Sequence, residues 1–351
     1  MSFATSPGYP PHARWRGVES AFLETGYASR SIEVISRLIQ AAGRLGGRCA
    51  DVSSRRPEVI GSIHLADNLE VLRALPSDSA DLIYIDPPFN TGKIQQRTQL
   101  KTVRSAEGDR VGFQGRRYHS IVVGTKRFSD LFDDYLAFLE PRLVEAHRIL
   151  TRRGSLYFHV DYREVHYCKV LLDTIFGREA FLNEIIWAYD YGGRPKDRWP
   201  PKHDNILLYA RDPSDYVFDV DAIERIPYMA PGLVGPEKAA RGKLPTDTWW
   251  HTIVPTSGSE RTGYPTQKPL GILRRIISAS SRPGDLVLDF FAGSGTTAMA
   301  ALELGRRFIL VDSSVEALEV MAKRLDGVDG IEWFGFDPTP HQRHAEQRNA
   351  F

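Results

Sequence analysis

Short apolar runs alternate along the chain with stretches of helical spacing. The runs predict strands, and they lie at 62–65, 81–85, 156–160, 184–189, 285–290 and 307–311. The stretches between them predict helices over 68–75, 164–175, 269–280, 293–304 and 315–325. One more helical stretch, 130–150, contains Pro141, which we expect to open a second segment. This alternation predicts an α/β fold built on a mostly parallel sheet.

Several parts of the chain break this rhythm. Residues 1–60 contain a proline-rich arm and an amphipathic helix over 30–45. Residues 93–127 are rich in Lys and Arg, contain several glycines and show no apolar period, so we expect a long loop. Residues 190–265 are rich in Pro, Gly, Trp and Tyr, which predicts an inserted irregular region. The polar residues 337–351 are expected to form a loose tail.

Composition and charge change this picture little. The 351 residues suffice for one large α/β domain with insertions or for two ordinary domains. The net charge is +1, so a basic surface for nucleic acid must be sought locally. We find neither a membrane-length apolar run nor a secretory signal and expect a cytoplasmic protein without membrane contact. Cys49 and Cys168 have no partner at metal-ligand spacing, so we expect no disulfide framework and no metal site.

A glycine-containing loop joins the strand at 285–290 to the next helix. Gly293 and Gly295 permit positive φ angles and the close approach of a ligand to the backbone. Asp312 ends the following strand, where an acidic residue can bind ribose hydroxyls. Taken alone, the loop fits a dinucleotide fold as well, because Gly293, Gly295 and Ala298 satisfy a loose dinucleotide fingerprint.

Two further features of the loop favour a ligand with an amino-acid tail. Asp289 precedes the loop, where a carboxylate can meet a cationic amine. The hydroxyls of Thr296 and Thr297 lie at the start of the helix and suit a carboxylate. An amino-acid tail carries both of these charges.

The strand at 81–85 runs directly into Asp86-Pro87-Pro88-Phe89. Two prolines cannot continue a central strand, so the strand delivers Asp86 to the carboxyl edge of the sheet, where ligands bind. The exocyclic amine of a base is a poor nucleophile because its lone pair is delocalised into the ring. If Asp86 and the Pro87 carbonyl accept its two N–H bonds, the nitrogen can direct its lone pair at a methyl sulfonium. Phe89 offers a face for the base; the alternative is a simple proline turn with Asp86 as a helix cap.

With both motifs in hand, the sequence resembles the amino-group DNA methyltransferases over residues 62–325. The tetrad precedes the glycine loop, an order that resembles the circularly permuted β class. The segments ADNLEVL, GSLYFHVD and YPTQKP match other elements of the family, although Ala66 and Tyr264 replace its usual Gly and His. The resemblance implies a Rossmann-like S-adenosylmethionine-dependent methyltransferase fold, circularly permuted, with an inserted target recognition region. Its two halves are 61–189 and 266–336, separated by recognition region 190–265.

The resemblance also implies roles for individual residues and S-adenosyl-L-methionine as the cofactor. The catalytic residues are Asp86, Pro87, Pro88 and Phe89. Asp312 is expected on the ribose of the cofactor and Asp67 near its adenine. The residues expected to bind the cofactor are Asp67, Asp86, Thr266, Lys268, Asp289, Phe291, Ala292, Gly293, Ser294, Gly295, Thr296 and Asp312.

The implied partner is double-stranded DNA with the target base flipped out of the helix. The basic stretch 93–127 is a candidate phosphate-binding loop, and a solvated insertion is the alternative. The aromatic and basic residues of 190–265 are candidates for base recognition, with local packing as the alternative. The residues expected to contact DNA are Lys93, Arg97, Lys101, Arg116, Arg117, Lys126, Arg194, Lys196, Arg198 and Lys202. The family is also compatible with a homodimer and with a cognate restriction endonuclease.

Methylation of adenine N6 is the preferred reading because Asp opens the tetrad, whereas Ser is more typical of cytosine-N4 enzymes in this family. The same chemistry on cytosine N4 is the alternative, and an RNA amino-group methyltransferase is a remoter one, since those enzymes usually place the glycine loop first. An NAD enzyme would leave the tetrad without a role. A DNA-binding subunit without activity would not need an intact Asp86 and glycine loop.

Overall fold

The computed structural model describes residues 33–34, 36–38, 59–89, 93–104, 110–111, 117–130, 134–255 and 257–342. Its strands are β1 (Gly61–Leu65), β2 (Ala80–Ile85), β3 (Lys93–Arg104), β4 (Arg110–Val111), β5 (Arg117–Asp130), β6 (Leu150–Asp161), β7 (Phe181–Ala188), β8 (His203–Ala210), β9 (Thr248–Trp250), β10 (Leu286–Asp289), β11 (Arg307–Asp312) and β12 (Ile331–Phe334). Its numbered α-helices are α1 (Asn68–Ala74), α2 (Tyr135–Ile149), α3 (Val165–Phe176), α4 (Pro236–Arg241), α5 (Leu270–Ser280), α6 (Thr296–Glu303), α7 (Val315–Arg324) and α8 (Thr339–Gln342). None of the helices in the described ranges is long and apolar enough to span a membrane.

One mixed sheet of nine strands organises the fold, in the order β12-β1-β11-β10-β2-β6-β8-β7-β9. The strands from β12 to β6 are parallel, whereas β8 runs antiparallel to both β6 and β7. Strands β2 and β10 are far apart in the chain but adjacent in the sheet, with Leu82 opposite Val287. Asp86 and the glycine loop therefore leave the sheet side by side at its carboxyl edge.

Both faces of the sheet are covered, which explains the nearly continuous apolar strands. Successive residues of β2 point to opposite faces: Ile83 and Ile85 pack in one core cluster, and Leu82 and Tyr84 in the other. Helices α1, α2 and α3 cover the first face, and α5, α6 and α7 cover the second. Val34 and Leu38 join the first cluster, in the described part of the helix predicted over 30–45.

The expectation that Pro141 opens a second helical segment is wrong. Helix α2 is continuous over Tyr135–Ile149 with Pro141 inside it. Its N-terminus is capped by Asp134, whose carboxylate accepts a hydrogen bond from the Ala137 amide at 2.9 Å. Buried side chains lie on both sides of the proline, among them Leu139 and Leu143. Their packing on the sheet offsets the roughly 3 kcal/mol that an interior proline costs a helix.

The expectation of an unstructured loop over 93–127 is also wrong. Strands β3, β5 and β4 form a separate antiparallel sheet, with β3 and β5 paired from Lys93 opposite Asp130 to Arg104 opposite Tyr118. The stretch contains many β-branched residues, such as the Ile121-Val122-Val123 run, which favour an extended backbone. The high density of charge concealed this preference when the sequence was read for apolar periodicity.

Residues 190–265 are not irregular throughout. Strand β8 lies between β6 and β7 in the main sheet, and β9 pairs with the outer edge of β7. The apolar residues of β8, from Ile206 to Ala210, are buried, so this strand belongs to the core. The irregular part of this region is limited to the connections around β8 and β9.

Towards the C-terminus, the short strand β12 was missed, because Glu332 and the flanking polar residues hide its pattern.

Candidate active site

A cleft of about 490 Å³ opens at the carboxyl ends of β1, β2, β10 and β11. This volume lies within the range of ordinary ligand sites. All four residues of the tetrad line it. Of the residues predicted to bind the cofactor, those that line the cleft are Asp67, Asp86, Thr266, Lys268, Asp289, Phe291, Ala292, Gly293, Ser294, Thr296 and Asp312.

Gly295 is the exception, because it does not line the cleft. It is the N-cap of α6, with a φ of 71°, and a Cβ atom placed there would lie 2.9 Å from Met321 Cγ. Its role in the structure is to turn the chain into α6 close to α7. Gly293, with a φ of 51°, does face the cleft, and its amide donates a 2.8 Å hydrogen bond to Asp312 Oδ2.

Asp289 is a buried carboxylate at the end of β10, directly before the glycine loop. Its Oδ1 accepts from the Phe291 amide at 3.0 Å, and its Oδ2 accepts from the Thr297 hydroxyl at 2.5 Å. Burial raises the pKa of Asp289 to about 7, with a further contribution from the negative charges of Asp86 and Asp312. Burial likewise raises the pKa of Asp312. A cleft in which carboxylates are this costly to ionise is suited to a cationic ligand.

The helix-start hydroxyls line the cleft and also make hydrogen bonds within the protein. Thr297 Oγ1 is engaged with Asp289, and Thr296 Oγ1 donates to the Lys268 carbonyl at 3.2 Å. Arg324 also donates to Thr296 Oγ1 at 2.9 Å. Both hydroxyls thus hold α6 to its surroundings, because the chain packs more tightly here than the sequence indicates.

The other end of the cleft is organised by Arg142, a residue that the sequence reading missed. Its guanidinium donates to Asn68 Oδ1 at 2.6 Å, to Asp67 Oδ2 at 3.1 Å and to the Phe138 carbonyl at 2.8 Å. Asn68 in turn donates to the Phe290 carbonyl at 2.8 Å. The available signal was an Arg placed on the apolar face of a helix, which predicts a buried polar contact.

Asp86 follows β2, and its two oxygens have different surroundings. The Lys268 ammonium forms a close ion pair with Asp86 Oδ2 and lies 4.9 Å from the centre of the Phe89 ring. Asp86 Oδ1 is buried and has no hydrogen-bond partner among the described residues. An unpaired buried carboxylate oxygen is costly unless a donor is supplied. The site therefore presents a free acceptor beside a stacking surface.

A buried histidine, also missed from the sequence, lies behind Asp86. His159 Nδ1 is 2.9 Å from the Tyr84 hydroxyl and 3.9 Å from Asp86 Oδ1, and His159 Nε2 is 3.3 Å from Asp204 Oδ2. Tyr189 donates to Asp204 Oδ1 at 2.9 Å. Burial alone would raise the pKa of Asp204, but the hydrogen bonds from His159 and Tyr189 and the nearby positive charge of Lys268 outweigh burial and lower it. The signal for this network was a His within the apolar run of β6.

The residues predicted to contact DNA fall into separate groups. Lys93, Arg97, Lys101, Arg117 and Lys126 belong to β3 and β5, and Arg116 lies outside the described residues.

Within residues 190–265, Lys196 is exposed, and so are Arg194 and Arg198, which pair with neighbouring aspartates. Beside them Trp199 is 94% exposed. Lys202 instead donates to the carbonyls of Tyr191, Gly192 and Gly193, so it holds a turn.

A family model of the N6/N4 methyltransferases, described as DNA methylase, matches residues 80–324. The chain belongs to this family. It is an amino-group DNA methyltransferase that uses S-adenosyl-L-methionine. The matched range includes the tetrad, the His159 network and the glycine loop.

Relatives and solved structures agree with this assignment. The chain is 31% identical over 268 residues to DNA adenine methyltransferase YhdJ of Escherichia coli (strain K12), covering 74% of this chain and 81% of the relative. It is 31% identical over 269 residues to type II methyltransferase M.HpaI of Haemophilus parainfluenzae, covering 77% and 74%. The structure of PvuII DNA methyltransferase (cytosine-N4-specific) matches with a TM-score of 0.52 at 15% identity, over 82% of this chain and 92% of that one. This last likeness concerns the fold alone.

Proposed function

We propose that this protein methylates the exocyclic N6 of adenine in double-stranded DNA. The observation that carries the proposal is Asp86, which lines the cleft and whose buried Oδ1 has no donor among the described residues. An exocyclic amine supplies such a donor. Binding of the amine to Asp86 Oδ1 and to the Pro87 carbonyl would leave its lone pair free to attack.

The polar and aromatic groups that line the cleft fit S-adenosylmethionine. Asp289 is a buried carboxylate beside the glycine loop and Asp312 a partly buried one, and a cationic amino-acid tail would compensate their charge. Asp67, held by Arg142, is available at the opposite end for an amino or hydroxyl group. Phe291 lies between these ends. When bound, the cofactor supplies an electrophilic methyl group.

The residues around Asp86 prepare the target nitrogen. Phe89 offers a ring on which a flipped base can stack. Lys268 pairs with Asp86 Oδ2, which leaves Oδ1 as the carboxylate oxygen without a partner among the described residues. The rigid prolines fix the neighbouring backbone carbonyl, so that the acceptors need no reorganisation when the base arrives.

Adenine is the preferred base because Asp opens the tetrad and because the E. coli relative is named a DNA adenine methyltransferase. Cytosine N4 is the second candidate, since its amine asks for the same two acceptors. The similarity to a type II methyltransferase supports a function within restriction-modification, with a separate endonuclease as the partner.

The circularly permuted arrangement is supported by the chain order. Catalytic strand β2 precedes cofactor strand β10, although the two are neighbours in the sheet. We further propose that the irregular connections within 190–265 form the target recognition region, in which Arg194, Lys196 and Arg198 contact DNA beside Trp199. The separate sheet of β3, β4 and β5 would contact phosphates through its many Lys and Arg residues.

The test is incubation with unmethylated genomic DNA and S-adenosylmethionine, followed by mass spectrometry of the nucleosides. N6-methyladenine is expected, and N4-methylcytosine would overturn the choice of base. Asp86→Ala should lower the methyl-transfer rate by at least about 10²-fold, as removal of a preorganised transition-state partner does. The matched control is Asp134→Asn, which keeps a capping residue on α2 and should retain the wild-type rate.

A further inference from the structure

Three buried side chains and a half-buried tyrosine form a hydrogen-bonded chain that ends beside the catalytic carboxylate. They are Tyr189, Asp204, His159 and Tyr84, contributed by three neighbouring strands and the residue after β7. His159 is fully buried within β6, where an imidazole carries a cost of desolvation. The strand pairing does not require a histidine here, which points to a function for its ring.

The hydrogen bonds fix which ring nitrogen carries the proton. Asp204 has a lowered pKa and is ionised at neutral pH, so it accepts a hydrogen bond from His159 Nε2. His159 Nδ1 is then unprotonated and accepts from the Tyr84 hydroxyl at 2.9 Å. The nitrogen that faces Asp86 Oδ1, at 3.9 Å, is consequently the one able to take up a proton.

We propose that His159, paired with Asp204, takes up the proton that the target amine loses and receives it by way of Asp86. The inference rests on the proposed function. As the bond from nitrogen to the methyl carbon forms, the carbon–sulfur bond breaks, and its electron pair stays on sulfur. The nitrogen is then cationic and passes one proton to Asp86 Oδ1, which passes it to His159 Nδ1. Asp86 returns to its ionised form.

The surroundings of His159 suit this transfer. A protonated imidazole would lie between the carboxylates of Asp86 and Asp204, and the Tyr84 hydroxyl can rotate so that its oxygen accepts from Nδ1. Lys268 opposes the proton on Asp86 and favours its onward transfer. Tyr189 completes the polar groups around Asp204.

Aromatic rings close the remaining sides of His159. The Phe89 and Trp187 rings lie 5.8 and 5.5 Å from it. They help to exclude water from the imidazole, which is fully buried. The proton would leave for solvent when the methylated base leaves the cleft.

The experiment is single-turnover methyl transfer by the full-length protein, saturated with S-adenosylmethionine and an adenine-containing duplex, across about pH 5 to 8, where histidines titrate. The wild-type rate should fall towards low pH, because a protonated His159 cannot accept a proton. His159→Gln and Asp204→Asn should lower the rate at neutral pH by about 10²-fold, the lower end for general-base groups, and remove the low-pH fall. Binding of cofactor and DNA should be unchanged, because His159 acts through Asp86 as a positioning residue.

Tyr157→Phe is the matched control. Tyr157 lies on β6, as His159 does, but its hydroxyl is 2.7 Å from Ser280 Oγ and outside the network. The variant should therefore keep the wild-type rate and pH profile. A wild type without a low-pH fall, or variants that keep it, would overturn the inference while leaving the proposed function intact. Variants that lose rate and thermal stability together, with an unchanged pH profile, would assign the network a purely structural role and also overturn it. A wild type that transfers no methyl group to DNA would overturn the proposed function and this inference with it.

Discussion

Replacement of Asp289 by Asn should stabilise the cofactor-free protein and weaken its binding of S-adenosylmethionine. Asp289 is 2% exposed, and burial raises its pKa from 3.8 to about 7. The ionised carboxylate is thus held in an environment that disfavours its charge. If the carboxylate serves to bind a cationic ligand, its removal should raise the stability of the protein and lower its affinity for the cofactor.

The magnitude follows from this change in pKa. At about 1.4 kcal/mol per pKa unit, ionised Asp289 costs the folded state at most about 4 kcal/mol. Its folded pKa lies above the unfolded value, so the cost is absent below about pH 3.8, increases as the pH rises, and is complete above about pH 7. Asn retains the shape: its Oδ1 can still accept from the Phe291 amide, and its side-chain NH₂ can donate to Thr297 once that hydroxyl rotates to accept. We expect a net gain of about 2 kcal/mol at pH 8.

Thermal unfolding of the two proteins at pH 5 and pH 8 measures the effect. A gain of about 2 kcal/mol corresponds to a Tm increase of about 3 °C at pH 8, with a smaller increase at pH 5. Titration calorimetry at pH 6 should show that the wild type releases a proton on binding the cofactor, and that Asp289→Asn binds at least about tenfold more weakly without that release. Equal Tm values at pH 8, or an undiminished affinity, would refute the reasoning.

Three further predictions concern the glycine loop, the far end of the cleft and the recognition region. Gly295→Ala should lower the free energy of unfolding by more than the roughly 1 kcal/mol that a left-handed φ costs, because the added Cβ would meet the Met321 side chain. Gly305→Ala is the control: Gly305 has a φ of 70° and no atom near the added Cβ, so denaturant titration should show the backbone cost alone. Arg142→Leu should weaken cofactor binding about tenfold, since Asp67 and Asn68 lose their common donor, and a variant with unchanged affinity by calorimetry would contradict this. Lys196→Met should reduce the slope of log Kd for DNA against log salt concentration by about one and keep the wild-type Tm. Lys202→Met should instead lower the Tm, because Lys202 donates to three backbone carbonyls. The reverse pattern would show that the two lysines had been assigned wrongly.

The local sequence was sufficient wherever a single strand or loop carries the chemistry. An apolar run followed by two prolines ends a strand whatever the rest of the chain does, so Asp86 was predicted at a strand end. The same holds for the glycine loop, where positive φ angles at Gly293 and Gly295 require glycine. In both places the backbone conformation is dictated by the residues themselves.

Prediction of secondary structure from apolar periodicity failed where charged residues hide a strand, and where packing overrides the tendency of proline to end a helix. The charged stretch 93–127 forms strands, and α2 continues through Pro141 because its apolar face is buried on both sides of the proline. Strand β8 was assigned to an irregular region because its flanks are rich in Pro and Gly, although its own residues are strongly apolar. The surroundings of these elements, and not their own spacing, decided the outcome.

The sequence by itself determined the α/β class, the ends of the two functional strands and the identity of the tetrad and the loop, because these depend on residues adjacent in the chain. Only the tertiary structure decided what surrounds Asp86. Lys268 is 182 residues away from it in sequence, and the pairing of β8 with β6 brings Asp204 to His159. Likewise, the raised pKa of Asp289 comes from burial by elements that are distant in the chain. The electrostatics of this site are set by strand order, which apolar spacing does not encode.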